Sequence, residues 1–207
     1  MSLEALKERT NGYLESLGIE TNPNLPLIEG LEEVKPRSAQ DVAGRVCAIA
    51  YVVRIGFGAN RTELIGYLRD FGLWKHVSDY EKSLLVTVEI SEQDRINMEW
   101  MTECIQALGW AIYLVELDPF KHCDDDLASK IPYMENPSDF INSACLRPIE
   151  EIQEQSDLYY RLNWYTKKCR REDKEGLLSW GIILERRKAI DWLYGVEQDW
   201  DEVPLDT

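Results

Sequence analysis

Histidine is nearly missing from this chain. His76 and His122 are the two in 207 residues, which argues against a His-built metal centre or an imidazole relay. Cysteine stands at 47, 104, 123, 145 and 169, an odd number with no CxxC spacing. A paired-disulfide framework is therefore not expected. The thiols read as small reduced hydrophobes of a cytosolic protein. No apolar run approaches the roughly 18 residues that a membrane span needs. The longest candidate, Ala43 to Phe57, is interrupted by Gly44, Arg45 and Arg54. The opening MSLEALKERT has no apolar signal region. Strand-like alternation is scarce, and no segment repeats or is of low complexity. Positive charge is short too: 23 Lys and Arg face 38 Asp and Glu, a net charge of −15. Such a surface repels phosphate backbones and anionic lipid, so neither nucleic acid nor membrane is an expected partner.

What is present is a globular composition, 44% hydrophobic and 29% charged, with seven Trp and ten Tyr to fill a core. Helical signals follow one another along the chain. Ser2 caps a helix to about Leu17, and Gly18 ends it. The stretch ETNPNLPLIEGLEEVKPRS reads as an irregular linker with room for a short strand at Leu25–Ile28. Ser38 with Asp41 starts a helix to about Ile55, stopped by GFGAN. Thr62 to Phe71 forms a short amphipathic helix. Ser78 with Glu81 is a capping box opening a helix to about Val88. Ser91 with Asp94 opens a long helix through Met98, Met101, Ile105, Leu108, Ile112 and Val115, ended by Asp118-Pro119. Residues 119–136 read as a loop, and Pro137-Ser138 starts a helix to about Ala144. Pro148 fits the start of the next helix. Glu150 and Glu151 lie in its first turn, and Lys167, Lys168, Arg170 and Arg171 in its last. A final helix runs from about Leu177 to Tyr194, ended by Gly195. The expected fold is all-α, a single-domain bundle of about seven or eight helices with at most minor strand content. Residues 1–33 form an N-terminal helix and linker, and 34–207 the helical domain.

Familiar catalytic and cofactor motifs are absent: there is no HExxH, GxSxG, P-loop or GxGxxG. GFGAN at 56–60 lacks the third glycine and reads as a helix stop. HCDDD at 122–126 is the sharpest metal-like cluster. As a calcium loop from Asp124 it places Ala128 at the fifth position and Ser129 at the sixth, where a ligand and Gly are required, so it reads as a solvated loop. Cys123 beside His122 is no better as a nucleophile pair, because three adjacent aspartates raise the thiol pKa. No catalytic residue, metal or cofactor is assigned.

The candidate binding residues lie on two helices and the C-terminal stretch. In SDLYYRLNWYTKK, Asp157 and Arg161 are one turn apart and can pair; Trp164 continues their face within cation–π reach of Arg161. The last helix is apolar nearly all round and carries Glu185 and Arg186, whose charges need partners if it is central. The expected partners are Arg161 or Arg37 for Glu185, and an acid of the C-terminal segment for Arg186. The ending DWDEVPLDT holds Asp199, Asp201, Glu202 and Asp206. A free tail has little use for Trp200, Val203 and Leu205, so the segment is expected to fold back with its acids against arginines. Arg37, Asp157, Arg161, Trp164, Glu185, Arg186, Asp201 and Asp206 are thus the candidate set, as a ligand pocket or as an ion-pair network locking the C-terminus.

Several stretches together resemble a bacterial family, domain of unknown function 4272: RSAQDVAGRVCAIAYV from Arg37, ALGWAIYLVEL, LRPIEEIQEQSDLYYRLNW, ERRKAIDWL and the final WDEVPLDT. The resemblance implies one domain from about residue 34 that includes WDEVPLDT, and it implies no activity. Gln153 and Gln155 depart from its pattern. Asn163 stands where the family often has His before Trp164, which argues against a base at that position.

Two functions follow. The first is a non-catalytic interaction protein whose acidic surface meets a basic protein partner. The second is an enzyme or small-ligand binder with an Arg/carboxylate pocket between the last two helices and the C-terminal segment. The oligomeric state is not legible.

Overall fold

The computed structural model describes residues 1–206; Thr207, part of the ending discussed above, lies outside the described residues. Nine α-helices and three 3₁₀ turns are found among the described residues, with no strand, so the all-α class holds. The helices are α1 (Leu3–Ser16), α2 (Ala39–Gly56), α3 (Arg61–Asp70), α4 (Asp79–Val86), α5 (Glu92–Trp100), α6 (Thr102–Ala111), α7 (Ser138–Ser143), α8 (Ile149–Arg171) and α9 (Trp180–Tyr194). The 3₁₀ turns are Leu73–His76, Leu127–Lys130 and Trp200–Glu202. The Leu25–Ile28 strand does not form. Those residues stay irregular, with Leu25 and Ile28 buried.

The starts are chemical. Ser2, Ser38, Asn60, Ser78 and Ser91 each accept a backbone N–H of the first turn, and at Ser78 the Glu81 carboxylate completes a capping box. Gly195 ends α9 in the left-handed region at φ 90°. A Cβ there would meet the Lys35 carbonyl oxygen at 2.2 Å, because the chain before α2 runs against the end of α9. Arg37 N–H donates to the Leu193 carbonyl at 3.0 Å across that contact.

One expected helix is two. The pattern from Ser91 to Val115 breaks at Met101, whose ψ of −7° leaves the helical ladder. The halves have different neighbours: α5 lies on α2, while α6 lies between α2 and α9. At Gly56 the approach of α2 to α5 is so close that a Cβ would stand 2.8 Å from Met98 Cβ. A straight helix cannot serve both contacts.

The packing order is α1 on α8, α8 along α9, α9 on α6, α6 on α2, and α3 and α7 on the outer side of α2. Surrounded in this way, α2 is buried from Val42 to Val53 on every face. The N-terminal helix joins the same core through Leu6 and Leu14. Trp200 and Val203 are buried too, so the C-terminal segment folds back as expected. No helix among the described residues is long and apolar enough to cross a membrane.

Candidate functional site

Helical phase builds the site. Ser156 and Tyr160 are one turn apart on α8; Arg187 and Asp191 are one turn apart on α9. They line a cleft of about 490 Å³ where α8 runs beside α9. Leu25, Pro26 and Ile28 from the linker form one wall, and Val196 and Pro204 another. An apolar hollow of this size with a few convergent polar groups suits a small molecule.

Its floor is a connected set. The Ser156 hydroxyl donates to Asp191 Oδ1 at 2.8 Å, and Arg187 Nε donates to Asp191 Oδ2 at 3.1 Å. Arg187 Nη1 donates to the Asp206 carbonyl at 3.2 Å, and the guanidinium stands over the Tyr160 ring at 5.1 Å. Burial pushes the Asp191 carboxyl up to about 6, against the opposing pull of Arg187 and Ser156. A carboxyl of that pKa takes or gives a proton near neutral pH. Among the described residues, Arg187 Nη2 and the Tyr160 hydroxyl have no hydrogen-bond partner. Both are therefore available to an oxygen atom of a ligand. The linker wall is tied down: Tyr194 donates its hydroxyl to the Glu29 carbonyl at 2.7 Å, and Lys7 reaches the Leu25 carbonyl at 2.6 Å.

Of the residues nominated from the sequence, Asp206 lines this cleft. Asp157 and Arg161 pair as expected, through Nε to Oδ2 at 3.0 Å, but both are sealed in the core at 1% exposure. The cation over Trp164 is Lys168, at 5.5 Å, rather than Arg161. Arg186 does not meet the C-terminal segment. Its Nε and Nη2 hold Glu103 of α6 at 2.9 and 2.7 Å, and its remaining donors reach the Asp118 and Lys121 carbonyls. Glu185 takes neither arginine; it accepts from the Cys104 thiol at 3.2 Å, and burial raises its pKa. Asp201 accepts the Tyr80 N–H at 2.8 Å, and with Glu185 and Lys188 it lines a separate hollow of about 280 Å³. Arg37 lies against Trp192 and lines a different hollow from that of Asp191. The hydrogen bonds that the C-terminal segment's last described residues accept from basic groups run to main-chain oxygens: Leu205 O accepts from Lys167, and Asp206 O from Arg187.

The 122–126 stretch is clasped to α6. Cys123 N–H donates to Glu103 and Asp124 N–H to Gln106, at 3.1 and 3.0 Å. No metal-holding group of His, Cys, Asp or Glu occurs among the described residues. The cysteines are all free, and burial pushes the Cys47 thiol up to about 12.

Sequence reading missed Ser156, Tyr160, Arg187 and Asp191. The signal existed, since Arg187 and Asp191 have the same one-turn spacing that singled out Asp157 and Arg161. What was missing was the phase of α9 against its neighbours.

Fold and cleft define a single-domain helical protein with a small polar-floored hollow between its two C-terminal helices. A family model covers residues 6–203, and the chain belongs to that family, Domain of unknown function (DUF4272). No curated protein and no solved structure matches the chain.

Proposed function

We propose that this protein binds a small organic acid in the cleft between α8 and α9. The observation that carries the reading is the buried Asp191 carboxyl, held by Ser156 and Arg187 at the floor of an apolar-walled hollow. Arg187 Nη2 and the Tyr160 hydroxyl receive the ligand's carboxylate, and the linker and C-terminal walls cover its hydrocarbon part. Asp191 fixes both Ser156 and Arg187 and exchanges the proton that the ligand's charge requires.

The test is the thermal midpoint of the full chain against a panel of mono- and dicarboxylic acids. A ligand at 100 times its Kd adds about 2.7 kcal/mol, which raises the midpoint of a domain this size by about 5–10 °C. Tyr160→Phe removes one hydroxyl without disturbing the core and should weaken binding about tenfold. A panel with no saturable shift sinks the proposal.

The net charge of −15 favours a second reading, an interaction protein for a basic partner. Its mark is a complex that weakens steeply as salt rises. A complex indifferent to salt rules it out.

A further inference from the structure

A different hollow, of about 520 Å³, lies beside Trp192 of α9 and departs from the general charge of the molecule. Its lining carries Arg37, Arg45, Lys75 and Lys82 against Asp41, Asp79 and Asp199, four cations to three anions in a chain of net charge −15. Asp41 and Asp199, with Glu197 nearby, act electrostatically on Arg37 without forming an ion pair with it. Asp79 is paired with Lys82 at 2.9 Å, Asp41 accepts the Ser38 hydroxyl, and Asp199 accepts the Asp201 N–H. Arg45 is buried, neutralised by Glu81 at 2.6 Å. The hollow is therefore close to neutral in a strongly acidic molecule, and neither Arg37 nor Lys75 forms an ion pair among the described residues.

Arg37 is held in a fixed pose. Its face lies 4.5 Å from the Trp192 ring centre, Nε donates to the Trp192 carbonyl at 3.3 Å, and Nη2 donates to the Glu197 and Gln198 carbonyls. Nη1 has no acceptor among the described residues. Behind it, Trp192 meets Trp200 edge to face at 5.3 Å, and Arg45 stacks on Trp200 at 4.0 Å. The rings thus make a stiff backing for the arginines. His76 is pressed onto α2 where Gly44 leaves room: a Cβ on Gly44 would stand 2.3 Å from its Nε2. Burial and the Lys75 charge lower the pKa of His76, so it is neutral at pH 7 and offers a hydrogen bond without a charge.

We infer that this hollow is a second binding site, for a phosphate group carried by a small molecule. Arg37, two residues before α2, and Lys75 of the Leu73–His76 turn arrive from separate segments, which suits a tetrahedral group with several charged oxygens. A planar carboxylate needs one fork only. The hollow is open and its walls are largely polar, which fits a hydrophilic phosphate ester rather than a lipid tail. This site shares no lining residue with the organic-acid cleft and does not depend on it.

The experiment is calorimetric titration of the full chain with glycerol phosphate, inorganic phosphate and sulfate. Saturable binding of glycerol phosphate is expected, with sulfate weaker. Stronger binding of inorganic phosphate than of the ester assigns the site to free phosphate as its source. Lys75 is exposed and unpaired, so Lys75→Ala should leave the unfolding midpoint unchanged and weaken phosphate binding about tenfold. Arg37→Lys keeps the charge, loses the fork and should weaken it comparably. No saturable heat to ~10 mM of any of the three anions overturns the inference. So does an affinity that Lys75→Ala leaves intact, or one that Tyr160→Phe abolishes in its place.

Discussion

Arg161→Ala tests what the buried charges do. The Arg161 and Asp157 side chains are each 1% exposed, joined by paired donors of one guanidinium on two carboxylate oxygens. Removing the arginine leaves Asp157 ionised in the core with no cation beside it, and breaking a buried pair in this way costs about 3–5 kcal/mol. At roughly 2–4 °C per kcal/mol for a domain of this size, the midpoint should fall by about 6–20 °C. Urea unfolding should show the loss in the transition midpoint with the slope unchanged. Arg9→Ala is the control, because the Arg9–Glu154 pair is 50% and 40% exposed and should move stability by no more than about 0.5 kcal/mol. The pair is not a net stabiliser, though. Arg161 Nη1 is buried without an acceptor, and desolvating both ions is expensive. The double change Asp157→Leu/Arg161→Met should therefore recover most of the loss. A drop below about 1 kcal/mol for Arg161→Ala would refute the reasoning, since it would mean that water reaches Asp157 or that the carboxyl accepts a proton at little cost.

Other outcomes follow from single residues. Asp191 has its carboxyl raised from 3.8 to about 6, so the folded state holds a proton that the unfolded state releases. Stability should thus fall as pH rises from about 4 to about 6 and then level off, by up to about 3 kcal/mol, and Asp191→Asn should remove that slope. Parallel pH profiles for the two proteins would show that Asp191 is not the group responsible. Gly195→Ala forces a Cβ to within 2.2 Å of the Lys35 carbonyl at φ 90°. It should cost upwards of about 2 kcal/mol in urea unfolding, and a neutral result would mean that the segment around Lys35 is not held there. Trp200→Ala empties a site that is 6% exposed and removes the ring under Arg45 and Lys188. A loss of about 3–5 kcal/mol is expected, with the C-terminal segment becoming sensitive to carboxypeptidase. A protected segment in that variant would show that Val203 and the main-chain contacts of Leu205 and Asp206 suffice.

Local rules carried much of the fold and little of the site. Ser2, Ser38, Ser78 and Ser91 mark helix starts because each cap satisfies backbone donors within three residues, a chemistry written entirely in neighbouring positions. The Gly195 stop and the Asp157–Arg161 pair are equally local. Trp200, Val203 and Leu205 were legible as an anchor because burial of apolar area does not need a named partner. The break at Met101 carries no Gly or Pro to announce it, and it exists because α5 and α6 must reach different neighbours.

Charge pairing shows the division most sharply. By itself the sequence determined the all-α class, most helix starts, the fold-back of the ending and the presence of charges on helices too apolar to be solvated. Each depends on spacing within a turn or on total hydrophobicity. Only the tertiary structure decided that Arg186 points to Glu103, 83 positions earlier, while Arg187 points to Asp191 and the cleft between α8 and α9. Adjacent residues on a helix are separated by about 100° of rotation, so their neighbours are set by how α9 is turned between α6 and α8. That angle comes from the packing of three helices at once, and no stretch of sequence contains it.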